Sequence, residues 1–179
     1  MATYRQQLRE LAYDTHGVIT LSDAKAAGVP AVEVRKLANR GALEHRGHGV
    51  YRMLEAPVTP MDEFAEAVAL AGDGAVLADE AVLAAHDLAQ VNLRTISVAT
   101  NRRIRAKLPA TVNVIHKNVT ADQRDDIDGI PAMSVEAALL AVRGRIMADR
   151  LVDAAHRATA RGLVPPAREA QLVHDLATA

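Results

Sequence analysis

Hydrophobic and polar positions change rhythm several times within the first third of the chain. Tyr4, Leu8 and Leu11 recur at i, i+4 and i+7, with Thr3 placed to cap and Gln6 at the reciprocal position, which predicts a helix ending at His16-Gly17. His16 is read there as a helix terminator rather than a ligand-contacting residue. The next stretch, VITLSDAKAAGVPAVEVRKLANRGALEHRGHGVYRM over residues 18–53, divides into a short apolar strand, two short helices and a hairpin. Thr20 and Asp23 form a second capping-box pattern, Gly28 closes that helix and Pro30 opens the next.

In the second of these helices Pro30, Val34, Leu37, Ala38 and Gly41 fall on one side at about 100° per residue. The opposite side collects Val32, Arg35, Lys36 and Asn39, with Arg40 at its edge. A helix of roughly 11 residues is about 16 Å long and fits a DNA major groove. Two cations and an amide suit phosphates and purine edges. Residues 43–46 and 50–53 then read as strands joined by Gly47-His48-Gly49. The order is that of a winged helix-turn-helix, with Val32, Arg35, Lys36, Asn39 and Arg40 on the recognition helix and His45, Arg46, His48 and Arg52 on the wing. The plainer alternative is a helical hairpin with an ordinary basic surface.

Leu54–Pro60 holds two prolines and no periodicity, so the domain boundary is placed there: residues 1–56 form the DNA-binding domain and 57–179 a partner-binding α+β domain. Thr59, Pro60 and Asp62 start a helix with Met61, Phe64, Val68 and Ala71 on one face, stopped by Gly72-Asp73-Gly74. A short apolar run at 75–78 leads to Asp79 as the cap of a helix reaching about Leu88. Residues 94–100 and 111–116 alternate as strands, and the loop between them carries Arg102, Arg103, Arg105 and Lys107. Asp122 to Gly129 reads as an acidic turn. From Ser134 onward the periodicity is helical, with Asp149 and Asp153 four apart on one side of a helix from Arg145 to Arg161. The predicted fold class is α+β: a winged helix-turn-helix, then a mixed α/β domain with a small sheet and a helical C-terminus.

Composition sharpens this picture in three ways. Half of the 179 residues are hydrophobic but only 2% are aromatic, so Ala, Val and Leu must build the core. The formal net charge is −1, but residues 1–56 carry 8 Lys and Arg against 6 Asp and Glu, while residues 57–179 carry 13 against 16. The candidate DNA-binding part is therefore the positive one. There is no cysteine, which excludes disulfides, thiolate zinc sites and cysteine nucleophiles. No signal-like stretch or membrane span is evident, and a cytoplasmic protein without membrane association is expected.

Residues 18–53 resemble the N-terminal domain of AbiEi-type antitoxins, the DNA-binding halves of AbiE-like (type IV) toxin–antitoxin pairs. The resemblance rests on the strand-then-Thr start, on Ala27-Gly28-Val29, on Leu37 to Leu43 (LANRGAL) and on Arg46 to Tyr51 (RGHGVY). Pro30 departs from it, since a Ser or Thr cap is commoner there. The second half is similar to the C-terminal domain of these antitoxins more loosely, through 74–88 and through Asp128-Gly129-Ile130-Pro131 with the capping Ser134. The helix that follows reads Ala137-Ala138-Leu139-Leu140-Ala141 where relatives carry Arg-Thr-Leu and an Asp. The resemblance implies a repressor that binds the operator DNA of its own operon, with self-association on DNA compatible with that role, and that neutralises a nucleotidyltransferase-like toxin.

Catalytic constellations are missing from the sequence. His45 and His48 are three apart in a hairpin, a spacing that does not aim both rings at one metal. His86 lies on an apolar helix side, and His156 and His174 have no partner at metal spacing. Asp122, Asp125, Asp126 and Asp128 lack the spacing, internal glycine and closing Glu of a calcium loop. No nuclease-like carboxylate followed by Glu-x-Lys, phosphate loop or nucleophile elbow occurs. The expectation is a non-enzymatic protein with no cofactor and no metal. A ligand-responsive winged-helix transcription regulator is the rival class. The candidate partner-binding residues are the loop cations Arg102, Arg103, Arg105 and Lys107, with Asp149 and Asp153. The cation run equally suits plain solvation or further DNA phosphate contacts, and a solvated helix face is the plainer reading of the two aspartates.

Overall fold

The structure, a computed structural model, describes residues 3–89 and 93–178. The chain divides into two compact units, Met1–Asp73 together with Ile104–Leu108, and Gly74–Arg103 together with Pro109–Ala179.

The first unit is a winged helix-turn-helix. Helix α1 (Tyr4–Asp14) opens on a complete capping box: the Thr3 hydroxyl accepts from the Gln6 N–H at 3.3 Å, and the Gln6 side chain accepts from the Thr3 N–H at 2.8 Å. His16 and Gly17, both at positive φ, turn the chain into strand β1 (Val18–Thr20). Thr20 and Asp23 form a second reciprocal box that starts α2 (Leu21–Ala26). Gly28 takes the left-handed conformation, with φ +79°, that lets the chain reverse into α3 (Ala31–Asn39). Strands β2 (Leu43–Gly47) and β3 (Val50–Met53) form the wing, and the sheet order is β1-β3-β2, antiparallel throughout. Leu8, Ala12, Ile19, Ala24, Val29, Val34, Leu43 and Met53 make the core between helices and sheet.

Leu54–Pro60, where the sequence reading divides the chain, is followed by α4 (Asp62–Ala71), which belongs to the first compact unit and packs on β1 and β3. Thr59 does not cap α4 by itself. Its hydroxyl and its N–H both donate to Asp62, at 2.6 and 3.1 Å, and that carboxylate also takes Arg52 of β3.

The second unit is a five-stranded mixed sheet covered by helices. Its strands are β4 (Val76–Leu77), β5 (Ile96–Thr100), β6 (Val112–His116), β7 (Arg124–Ile127) and β8 (Ile130–Met133), in the order β6-β5-β4-β8-β7. β5 and β6 run parallel, as do β4 and β8, while β4–β5 and β7–β8 are antiparallel. β5 is buried along its whole length, so its alternation in sequence does not mark one solvated face. Helices α5 (Glu80–Ala85), α6 (Val135–Ala141), α7 (Ala148–Ala160) and α8 (Pro166–Ala177) supply Val82, Leu83, Leu139, Leu151 and Leu172 to the core. Ala154, Ala155 and Ala158, all fully buried, let α7 lie close to its neighbours.

Two expectations are corrected here. Asp122–Gly129 is not a solvated acidic turn. It contains a 3₁₀ turn (Ala121–Gln123) and strand β7, which pairs with β8 through Ile127↔Ile130 around a turn at Asp128-Gly129. An edge strand can keep its polar residues exposed and bury only Ile127, which hides it from a search for alternation. Asp79 precedes α5 but makes no side-chain cap. It sits at φ +54°, buried, and accepts from Arg145 at 2.5 Å.

Candidate nucleic-acid interface

Helix α3 is nine residues long, about 14 Å at 1.5 Å per residue, slightly shorter than the sequence reading. Its inner side is fixed by Val34, which is fully buried, with Leu37 and Ala38 packed against the same core. That anchoring turns Val32, Arg35, Lys36, Asn39 and Arg40 outward, all exposed, with Val32 at 52%. Lys36 reaches back to Glu33 at 2.8 Å. The side chains of Arg35, Asn39 and Arg40 have no hydrogen-bond or ion-pair partner among the described residues. Pro30 starts the helix without a side-chain cap, and its carbonyl accepts from the Glu33 and Val34 N–H groups at 2.9 and 3.3 Å.

The wing is arranged differently from the sequence expectation. His48 is exposed at the hairpin turn, and His45 is exposed with its ring tilted 53° against Tyr51, the centroids 5.1 Å apart. Tyr51 itself is 6% exposed and packs the wing onto the domain. Arg46 and Arg52 do not stand free. The Arg46 Nε donates to both Glu66 oxygens at 3.0 Å, and another of its nitrogens to Glu44 at 3.0 Å. The hydrogen bond that Arg46 donates to Glu66 outweighs the desolvation of the guanidinium and raises its pKa above the ordinary value. Arg52 is half-buried and pairs with Asp62. Burial alone would push the Asp62 carboxyl up, but the hydrogen bonds from Thr59 and Arg52 overcome it and hold the group below the usual carboxylate range.

Helix α4 therefore grips the wing with residues four apart on one face. Asp62 takes Arg52, Glu66 takes Arg46, and a Leu70 methyl sits against Gly47, where a Cβ would approach to 2.3 Å. These partners are hidden in the sequence because the two prolines of Leu54–Pro60 separate α4 from the wing. The i, i+4, i+8 spacing of an acid, an acid and a leucine beside two wing arginines was the available signal.

A further feature not anticipated is a groove of about 440 Å³ between the start of α1 and the end of α3, lined by Tyr4, Arg5, Lys36, Leu37, Arg40 and Ala42 among others. Arg5 at its rim pairs with Glu55.

The candidate partner-binding residues are spread out. Arg102, Arg103, Arg105 and Lys107 are exposed, the first two in the second unit and the last two in the first. Asp149 and Asp153 are exposed on α7, and Asp153 pairs with Arg157 at 2.9 Å. Of the histidines set aside in the sequence, His156 lies 2.7 Å from Glu169 on α8. His86 caps α5, where burial and the nearby Arg161 push its pKa down. No group of three or more His, Asp or Glu placed to hold a metal occurs among the described residues, and no helix among them is long and apolar enough to cross a membrane.

Comparison with known proteins adds to this geometry. Residues 6–53, from α1 to the end of the wing, match a family model described as transcriptional regulator, AbiEi antitoxin. Among solved structures the chain is similar to the RV2827C protein from Mycobacterium tuberculosis, at 17% identity and a TM-score of 0.46, covering 98% of this chain and 82% of that one. No curated protein matches the sequence.

Proposed function

We propose that this protein is an AbiEi-type antitoxin that represses its own operon, with α3 reading operator DNA in the major groove. The observation that carries the reading is the outer face of α3. Arg35, Asn39 and Arg40 are held outward by a buried Val34 and have no partner of their own among the described residues. Polar groups left uncompensated on a helix of groove-fitting size suit base edges and phosphates. The family match over the same residues supports the assignment. Wing contacts come chiefly from the hairpin tip around His48, because the charges of Arg46 and Arg52 are already engaged.

The second unit, with its acidic strand β7 and the exposed Asp149 and Asp153 of α7, is the part assigned to a nucleotidyltransferase-like toxin. An enzyme that handles nucleotides carries basic surface, and acidic partners steer its association. Both activities belong in the cytoplasm, and neither involves chemistry by this chain.

The test separates the two roles in the full chain. Cells carrying the toxin of the same operon receive either the wild-type protein or an Arg35→Ala/Asn39→Ala variant. The variant is expected to rescue growth while failing to repress the promoter. Repression by the variant at wild-type level removes α3 as the reader. Failure of the wild-type chain to rescue removes the antitoxin role and leaves a ligand-responsive regulator.

A further inference from the structure

The two edges of the five-stranded sheet are finished differently. β7, at one margin, is closed to further pairing by its own side chains. Its register with β8 includes Asp126↔Pro131, and a proline has no N–H to give, so Asp126 turns its backbone outward. That outward N–H donates to the Asp125 carboxylate at 2.9 Å. The Asp126 carboxylate accepts from the Gly129 N–H at 2.7 Å, and Arg124 donates to the Val119 carbonyl at 3.0 Å. Charges and side chains folded onto the strand's own backbone are how native edges refuse a neighbour.

β6, at the other margin, has none of these devices. Val112–His116 reads VNVIH, without an acid, lysine, arginine, proline or glycine. The ladder fixes which of its backbone groups point away. The Ile96 N–H donates to the Thr111 carbonyl at 2.7 Å, and the Lys117 N–H to the Thr100 carbonyl at 3.2 Å. In a parallel ladder every second residue bonds the same neighbour, so Thr111, Asn113, Ile115 and Lys117 face β5. Val112, Val114 and His116 direct their N–H and C=O groups to the open side. The Val112 N–H turns back to the Pro109 carbonyl at 3.0 Å, whereas those of Val114 and His116 have no partner among the described residues. Val112, Val114 and Ile115 are half-buried, so β-branched side chains stand on both faces of this edge.

We propose that β6 is a self-association edge: a second copy of this chain adds its own β6 antiparallel, across a two-fold axis at Val114, so that the two sheets become continuous. The strand is complementary to itself in this direction. Val114 meets its own copy, Val112 meets His116, Asn113 meets Ile115, and Lys117 falls beside the uncharged Thr111. Residues with outward backbone groups then face one another and exchange main-chain bonds. In the parallel sense Lys117 would lie against Lys117, and like charges side by side repel. The β7 of another copy offers acids, but its outward Asp126 N–H is engaged. A β6–β7 contact would also run head to tail without closing, whereas a two-fold pair closes. One strand pair of five residues buries less than the roughly 1,200 Å² of stable complexes, so the dimer is weak and reversible. The inference concerns the free protein and stands without the DNA reading.

The chain has no cysteine, so one introduced cysteine reports on one position. Val114→Cys in the full chain is expected to form an intermolecular disulfide under mild oxidation, since the paired Cα atoms would lie about 5.5 Å apart. Asp126→Cys, on the closed edge, is expected to crosslink far more slowly. In sedimentation without DNA, the wild-type chain should rise from monomer towards dimer mass as its concentration approaches the millimolar range. Val114→Lys and Val114→Glu should each stay monomeric, and a mixture of the two should regain the dimer, because the axis sets position 114 against itself. Wild-type protein at monomer mass throughout, or Val114→Cys crosslinking no faster than Asp126→Cys, overturns the proposal. A dimer that survives either charge, or a mixture that stays monomeric, overturns it as well. Loss of toxin rescue by Val114→Lys, with the wild-type chain monomeric, overturns it in favour of a strand supplied by the toxin. None of these outcomes depends on operator binding by α3, so the two readings fail separately.

Discussion

Arg52 of the wing strand β3 and Asp62 of helix α4 form an ion pair that is largely withdrawn from solvent, with side chains 16% and 10% exposed. The pair ties the wing to a helix beyond the hairpin and already engages the Arg52 guanidinium. Asp62 also accepts from the hydroxyl and the N–H of Thr59, so one carboxylate serves the strand and the turn before its own helix.

Asp62→Asn is therefore expected to lower stability by about 2 kcal/mol, the cost of leaving a half-buried guanidinium without its anion. The Asp62 pKa is depressed in the folded state, so its contribution is present above the ordinary carboxylate pKa and is lost as pH falls through the folded value. Urea unfolding at neutral pH and at successively lower pH values checks this. The wild-type protein should lose stability on acidification more steeply than Asp62→Asn, and parallel curves would refute the assignment.

On the recognition helix the expected effects divide by chemistry. Arg35→Ala or Asn39→Ala should cost about 1–3 kcal/mol of operator affinity and relax preference at one base pair each. Lys36→Ala should weaken all duplexes alike and flatten the salt slope by about 1. Competition binding with single-base operator variants distinguishes these outcomes.

Arg46 lies between Glu44 and Glu66, which offset its charge. Glu66→Gln is expected to strengthen DNA binding and steepen the salt slope by about 1, as one arginine becomes available to phosphate. Arg46→Ala, which leaves Glu44 and Glu66 without their cation beside the wing, should weaken binding to all duplexes alike without altering the preferred sequence. If Glu66→Gln leaves the slope at the wild-type value, the wing arginine takes no part in DNA contact.

In the second unit Arg145 satisfies Asp79, a buried carboxylate at positive φ, and also meets Glu80 at 3.2 Å. Removing the exposed partner leaves the buried charge alone. Arg145→Gln should destabilise by about 2 kcal/mol. Asp79→Asn keeps a residue that tolerates positive φ. The double variant is expected to cost less than the sum of its singles, which thermal unfolding of all four proteins measures as a coupling.

Local signals were legible in the sequence because they act over three or four residues. Thr3 with Gln6, Thr20 with Asp23, Gly28 and the Gly47-His48-Gly49 turn all operate where the patterns placed them. The outward set on α3 followed from the same periodicity. What escaped the reading depends on partners far along the chain. Asp79 looks like a cap until Arg145, 66 residues later, is seen to claim it. Arg46 and Arg52 look like free cations in the hairpin until Glu66 and Asp62 fold back on them. β7 escaped because an edge strand with two aspartates facing solvent has almost no hydrophobic pattern to detect.

Strand β4 is two residues long, and it lies at the centre of the five-stranded sheet. It meets β5 through two residue pairs and β8 through Leu77↔Ala132, whereas β5–β6 and β7–β8 pair over five and four residues. The sheet is thus two hydrogen-bonded ribbons stitched along a short seam, and the cohesion across that seam comes from buried Val76, Leu77, Ala132 and Met133 rather than from backbone ladders. Amide exchange should accordingly show β5–β6 and β7–β8 as separately protected blocks, so that an event loosening one need not melt the other.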